Sequence, residues 1–292
     1  MRLLDALLKR LLDPEALVIF DGAMGTMIYS RGVFINQCYD ELSVRAPELI
    51  SGIHDEYVKA GAEVIETNTF GANRVKLEQH GLSADVRQIN TAAARLARTA
   101  AGDAVLVAGA VGPLGVRLEP YGPTSRDDAR EIFAEQMRAL KEGGADLFIL
   151  ETFSDLDELT QATVAARDVD AAMPVIAQVA INADGVTAYG ATPEDIVRTL
   201  DAAGADIIGL NCSVGPQTIL EAIEKMAPLT TRKLSAQPNA GMPRDVGGRT
   251  MYMASPEYMS TYARHLVVAG AKLIGGCCGT TPAHVREIAE GV

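Results

Sequence analysis

Tryptophan is absent, aromatics make up only 5% of the chain, and its 292 residues include just four cysteines and four histidines. So few cysteines, with Cys277 and Cys278 adjacent, exclude the disulfide framework of a small secreted scaffold and make the cytoplasm the expected compartment. No run of about 18 apolar residues occurs, so no membrane-spanning helix is expected. Basic residues are in deficit, 26 Lys+Arg against 38 Asp+Glu, for a formal net charge of −12. That balance excludes a general affinity for nucleic acid or an anionic membrane surface. No Ser/His/Asp order stands out, and Gly22-Ala23-Met24-Gly25 lacks the lysine of a phosphate-binding loop. His54, His80, His265 and His284 fall in or beside predicted helices, where packing or surface roles are expected.

The hydrophobic material is arranged in short runs. Eight of them recur along the chain: Leu17–Phe20, Glu63–Thr67, Ala104–Ala110, Asp146–Leu150, Pro174–Ile181, Asp206–Leu210, Lys233–Gln237 and Lys272–Ile274. Most are apolar throughout, as parallel strands covered on both faces require. Helical patterns fill the intervals. Pro47 opens one that Gly61 ends, and Arg126–Gly143 repeats Ala129, Ile132, Phe133, Met137 and Leu140 at helical spacing. Thr192-Pro193, Ser255-Pro256 and Thr281-Pro282 are N-cap and first-turn signals. Eight strand–helix units in this length predict an α/β fold, the TIM (β/α)8 barrel. A doubly wound sheet is the alternative, because pattern alone does not show closure.

Residues 2–12 carry Leu3, Leu4, Leu7, Leu8 and Leu11 on one helical face, interrupted by Asp5, Lys9 and Arg10. They predict an amphipathic helix packed on the body, not a signal peptide. No composition break or linker divides the chain, so residues 1–292 read as a single domain. Residues 111–125 and 238–249 are long Gly/Pro-rich loops of the kind that shape a barrel mouth.

In such barrels chemistry collects at the C-terminal ends of strands. Those ends hold Asp21, Glu66 with Asn68, Gly112-Pro113, Glu151, Asn182, Asn211 with Cys212, Asn239, and Cys277-Cys278. A vicinal cysteine pair makes a poor disulfide, since adjacent Cα atoms are about 3.8 Å apart and a bridge wants about 4.4–6.8 Å. Both thiols reach one point only if the backbone leaves the strand there, and Gly275, Gly276 and Gly279 permit that turn. With Cys212 they make three thiolates and one vacant position, a zinc site still open for chemistry. Buried inert thiols and metal-free redox chemistry are the competing readings. Cys38, without a partner in sequence, reads as an inert packed thiol. Asp21, Glu66 and Glu151 are better suited to holding a cation than an anion, although each could simply brace a turn.

Asp21-Gly22-Ala23-Met24-Gly25-Thr26, Glu66-Thr67-Asn68-Thr69-Phe70, Gly209-Leu210-Asn211-Cys212, Pro238-Asn239-Ala240-Gly241 and Gly275–Pro282 together resemble the homocysteine S-methyltransferase family. The motifs occur in the family's order over nearly the whole chain, and the paired-cysteine block is highly specific. Within the family the chain resembles the homocysteine-binding module of cobalamin-dependent methionine synthase and the related module fused to a methylenetetrahydrofolate reductase. The resemblance implies a zinc-bearing barrel that methylates homocysteine to methionine, with Cys212, Cys277 and Cys278 as metal ligands. It implies further that Asp21 and Glu151 hold the substrate ammonium, and that the N–H groups of Gly22 and Ala23 receive its carboxylate. Glu66 and Asn68 would line the pocket near the sulfur. Asn211 and Asn239 would sit beside the metal, Asn239 filling the fourth position while substrate is absent. Zinc ionises a coordinated thiol outright, so no separate general base is called for. The implied methyl donor is methylcobalamin, carried by another domain or supplied in trans. A sulfonium or ammonium donor such as S-methylmethionine or betaine is the alternative. A non-catalytic zinc- or thiol-binding module, or a barrel enzyme with structural cysteines, remains as a reading from another class.

Overall fold

The computed structural model describes residues 3–247 and 249–292. Its barrel strands are β1 (Val18–Ile19), β2 (Val64–Glu66), β3 (Leu106–Val111), β4 (Leu147–Phe153), β5 (Val175–Val179), β6 (Ile207–Asn211) and β7 (Lys233–Gln237). The short strands β8 (Arg244–Val246) and β9 (Arg249–Met251) follow, and β10 (Ala271–Ile274) completes the barrel. All eight apolar runs are strands. The eight pair in parallel in the order β1-β10-β7-β6-β5-β4-β3-β2.

Closure comes from a parallel bridge between Phe20 and Val64, where the Asp21 N–H donates to Val64 O at 3.1 Å and the Glu63 N–H to Ile19 O at 2.8 Å. The sheet is a barrel, and the doubly wound alternative falls away. The helices Pro47–Lys59, Val86–Ala101, Arg126–Gly143, Leu156–Val169, Pro193–Ala203, Pro216–Met226, Pro256–Val268 and Pro282–Gly291 alternate with the strands. Their starts follow the local chemistry. Thr192 and Asp195 close a reciprocal capping box, and the Ser255 hydroxyl accepts from Tyr258 N.

The N-terminal helix spans Leu3–Leu12, and Arg2, at the start of the expected 2–12 segment, lies outside the described residues. Leu11 is fully buried with Val18, Phe20, Leu106, Ile149, Ile176 and Leu273, so the helix packs against side chains that fill the barrel. Leu3, expected on the packed stripe, is instead exposed. Lys233 fastens the other end of this helix by donating from Nζ to Leu11 O at 2.9 Å. That contact satisfies a carbonyl left open by the helix terminus.

Two features differ from the sequence reading. Strand β4 runs past Leu150 to Phe153, with a register shift and a left-handed Thr152 (φ 63°). The loop after β7 contains the antiparallel hairpin β8–β9, whose first strand is exposed along its length. No helix among the described residues is long and apolar enough to cross a membrane.

Candidate functional site

The strand ends open into a cavity of about 500 Å³ lined by Asp21, Glu66, Glu151, Asn211 and the three cysteines, among others. Two turns deliver the sulfurs. After β6, Cys212 and Ser213 both take left-handed conformations, φ 59° and 58°. Non-glycine residues pay about 1–2 kcal/mol each for that geometry. The Cys212 N–H donates to Gln237 O at 3.1 Å and so ties this turn to β7.

After β10 the chain turns at Gly275-Gly276. The Cys277 N–H donates to Pro238 O at 2.9 Å, and the Thr280 hydroxyl donates to Cys277 O at 2.7 Å. The Gly279 N–H reaches Thr26 Oγ1 at 3.1 Å. Gly279 itself has φ 83°, and a Cβ there would overlap the Tyr252 side chain. Gly279→Ala is therefore expected to cost about 2–3 kcal/mol through backbone strain and steric conflict. Thermal unfolding measures this, and an unshifted midpoint would show that the turn tolerates a side chain.

The three Sγ atoms lie within 4.8 Å of one another, and Cys212 and Cys278 are 3.8 Å apart. Ligands on a tetrahedron with Zn–S of about 2.3 Å stand about 3.8 Å apart, the spacing of Cys212 and Cys278, and the third sulfur is close enough to complete the face. Among the described residues no histidine or carboxylate joins this group as a fourth ligand. The thiols also divide their protons unequally. Hydrogen bonds from Cys212 and Cys277 pull Cys278 down to about 3. Hydrogen bonds with Cys212 and Cys278, together with burial, push Cys277 well above the usual thiol range. Cys212 is held down by Cys277 but pushed up by Cys278 and burial, and rests at about 12. A dication is what would let all three ionise together.

Asn239 lies between the two turns. Its N–H donates to Val214 O at 3.1 Å, and the next N–H, of Ala240, donates to Cys278 O at 2.9 Å. Its Oδ1 is buried without a partner.

Three acids meet at the cavity floor. Asp21 is 2% exposed, its Oδ2 accepts the Glu66 N–H at 2.9 Å, and its Oδ1 is buried and unpartnered. Burial, then the neighbouring Glu66 and Glu151, drives its pKa well above the carboxylate range. Burial pushes Glu66 up to about 7, and burial followed by Glu66 and Cys278 raises Glu151. A cation bound among them would pull all three back down. Asn211 clamps Glu151 by donating from Nδ2 to its Oε2 at 3.2 Å and to Thr152 Oγ1 at 2.8 Å, while its Oδ1 accepts from Thr152 N at 2.8 Å.

The remaining residues singled out in the sequence divide. Gly22 is needed for close packing, because a Cβ there would lie 2.6 Å from Thr280 Oγ1 and 3.0 Å from the Tyr57 hydroxyl. The Ala23 N–H is already donated to Thr280 Oγ1 at 3.1 Å, so a substrate carboxylate would have to share it. Asn68 lines the cavity, but its amide is spent on Tyr39 O at 2.7 Å and braces the loop after β1. Asn182 is exposed and closes its own turn by accepting from Asp184 N. Cys38 is buried in a small cluster with Ala72, Leu77, Val86 and Ile89, though it also touches the cavity wall. His80, exposed just beyond the helix Arg74–Glu78, also borders the cavity.

Sequence reasoning missed Tyr57, Gln178, Gln237 and Tyr252. Tyr57 donates to Ala23 O at 2.7 Å. Gln237 donates to Glu66 Oε1 at 2.6 Å and accepts from Gln178 Nε2 at 2.5 Å, a relay across the barrel interior that aims Glu66. One signal was available: Lys233, Ser235 and Gln237 are polar at alternate positions of one strand, hence on one face.

The model of the family described as homocysteine S-methyltransferase matches residues 18–292. The chain belongs to the homocysteine S-methyltransferase family. The chain is 31% identical to the methionine synthase of Mycobacterium tuberculosis over 99% of its own length and 25% of that protein's. To the methionine synthase of Mycobacterium leprae it is 30% identical, over 95% of this chain and 24% of the relative. It thus spans about a quarter of the curated relatives it matches. Among solved structures, the metallated form of the homocysteine methyltransferase MmuM from Escherichia coli superposes with a TM-score of 0.81 at 26% identity, covering 97% of this chain and 99% of that one. The oxidised form of the same protein gives a TM-score of 0.82 at 25% identity, with the same coverage.

Proposed function

We propose that this chain activates homocysteine for methylation to methionine, holding zinc on Cys212, Cys277 and Cys278, as the homocysteine-binding unit of a methionine synthase. The observation that carries this reading is the meeting in one cavity of three sulfurs within 4.8 Å of one another and three acids, Asp21 buried and Glu66 and Glu151 half-buried. Zinc held there would supply Lewis acidity, ionising a fourth, exchangeable thiol that in water, with a pKa near 8.5, is only a few per cent thiolate at neutral pH.

The chain's own residues do the rest. Asp21 and Glu151 take the substrate ammonium, and its arrival releases the protons that the acid cluster holds. Asn211 keeps Glu151 aimed, and Gln237 does the same for Glu66. The Gly22 N–H, with that of Ala23 shared from Thr280, receives the carboxylate. Asn239 Oδ1 waits beside the metal for the interval without substrate. Held at both ends, homocysteine presents its sulfur in one direction, and alignment with the donor methyl supplies the larger share of the rate.

The likeness to full-length methionine synthases favours methylcobalamin as donor, brought by a separate cobalamin-bearing module. The end-to-end match with MmuM favours a second reading, a self-sufficient enzyme that uses a small sulfonium or ammonium donor such as S-methylmethionine or betaine. A site that works only with reduced thiols suits the cytoplasm, and the net charge of −12 suits neither nucleic acid nor an anionic membrane as partner.

The test is zinc analysis of the purified chain combined with homocysteine-dependent methionine formation from methylcobalamin, S-methylmethionine or betaine. One zinc per chain and turnover with methylcobalamin are expected. Turnover only with a small onium donor would install the second reading. Zinc without methionine from any donor would leave a thiol-binding module and remove the catalytic proposal.

A further inference from the structure

The turn after β1, residues 21–26, and the turn after β10, residues 275–280, lie against each other along a short seam. Three bonds cross it directly. The Gly276 N–H donates to Asp21 O, the Ala23 N–H to Thr280 Oγ1 and the Gly279 N–H to Thr26 Oγ1, each at 3.1 Å. A fourth tie comes from outside both turns. Tyr57, on the helix Pro47–Lys59, is fully buried, as are Ile50 and Ile53 of the same helix. Its hydroxyl donates to Ala23 O at 2.7 Å and to Thr280 O at 3.3 Å, so one hydrogen is shared between the two turns.

The packing along the seam is close. A Cβ on Gly22 would lie 3.0 Å from the Tyr57 hydroxyl, and a Cβ on Gly276 would lie 2.4 Å from Thr280 Cγ2. A side chain at either glycine would wedge the turns apart. The two turns carry opposite ends of the site. One holds Asp21 and the N–H groups proposed for the amino-acid end, and the other holds two of the three sulfurs. The separation across the seam is therefore the length a substrate must span. Cysteine is shorter than homocysteine by one carbon–carbon bond of about 1.5 Å. A site held rigidly at both ends discriminates against a missing methylene by about 10–200-fold.

We propose that Tyr57 is a positioning residue that fixes the span between the amino-acid end of the site and the metal, and so sets a preference for homocysteine over the shorter thiol cysteine. The inference rests on the reading that zinc on the three cysteines receives the substrate sulfur. The Tyr57 hydroxyl does not meet the substrate. It pins residue 23, whose N–H faces the carboxylate, to Thr280, whose own hydroxyl donates to Cys277 O at 2.7 Å. A continuous path of hydrogen bonds thus joins the amino-acid end to a metal ligand through buried groups. A misplacement of about 1 Å in an oriented reaction costs on the order of a hundredfold. Slack in this path would let the site close onto a shorter thiol and hold the longer one less well.

The test compares the zinc-loaded wild-type chain with Tyr57→Phe, which keeps the buried ring and removes only the donor. Thr26→Val cuts a different tie across the same seam. Ile196→Val, at a fully buried position in the helix Pro193–Ala203, is the control that loses stability without touching the seam. Calorimetry gives the dissociation constants of homocysteine and cysteine, turnover gives KM and kcat for homocysteine, and thermal unfolding gives stability. Wild type is expected to prefer homocysteine by about 10–200-fold. In Tyr57→Phe that ratio should shrink about tenfold, with KM rising more than kcat falls and zinc content unchanged. Thr26→Val should move the ratio in the same direction, and Ile196→Val should leave it at the wild-type value. An unchanged ratio in Tyr57→Phe, whatever its midpoint of unfolding, would overturn the proposal and leave the hydroxyl as a bond of the fold alone. Should that variant not fold, the ratio in Thr26→Val decides in the same way. A wild-type chain that binds both thiols alike would also overturn it. A zinc-loaded wild-type chain that binds neither thiol would instead overturn the proposed function on which it rests.

Discussion

Replacing Cys212, Cys277 or Cys278 with alanine is expected to abolish zinc retention and methionine formation together, whereas Cys38→Ala should remain near wild type. The contrast follows from position. The three site sulfurs converge within 4.8 Å, so each removal leaves two thiolates where a closed coordination shell needs three and the substrate. Structural zinc sites contribute about 10–16 kcal/mol over four ligands, so one ligand is worth roughly 2.5–4 kcal/mol, on the order of a hundredfold in affinity. Cys38 sits under the loop after β1 among Ala72, Leu77, Val86 and Ile89, and burial raises its pKa. Its loss trims a small cluster and touches no ligand. Metal content of the four variants, measured beside turnover, decides the matter. Equal zinc in all four would mean that the site lies elsewhere.

The cysteine trio was legible before any coordinates because of a local conflict. Adjacent side chains on a strand point to opposite faces, so Cys277 and Cys278 make sense as a pair only where glycines end the strand. The eight strands were legible for a different reason, their continuous apolar character between capped helices. Closure of the barrel was not, because the Phe20–Val64 bridge is a single contact between two very short strands. The end of β4 was also hidden, since Glu151 is charged and Thr152 is left-handed, both of which look like a strand already over. Tyr252 escaped for want of any motif, and Gln237 showed only as the last of three alternating polar positions on β7. Their roles arise from the folding back of the hairpin and from the barrel interior, where residues far apart in the chain meet. The acids occupy a middle ground. Their place at strand ends was readable from sequence, but their mutual elevation in pKa required knowing that all three share one floor.

Asp21→Asn is expected to raise the KM for homocysteine by about 10–100-fold while zinc content stays at the wild-type level. The aspartate has two separate tasks. Oδ2 accepts the Glu66 N–H at 2.9 Å and so helps fix the strand end, a task the amide oxygen of asparagine takes over. Oδ1 is buried with no partner, the atom free to meet an ammonium. Asparagine places an NH2 there, which presents hydrogens to a cation and no charge. A hydrogen bond to a charged group is worth about 1.5–3 kcal/mol, which sets the expected loss in binding. The sulfurs are delivered by the turns after β6 and β10, which do not depend on the charge of Asp21, so metal uptake should not follow the substrate affinity. Steady-state kinetics in homocysteine, paired with zinc analysis, separates the two. A KM that does not move would remove Asp21 from substrate binding and leave it a brace for β2. Loss of zinc along with affinity would mean instead that the acid floor and the thiol cluster act as one electrostatic unit.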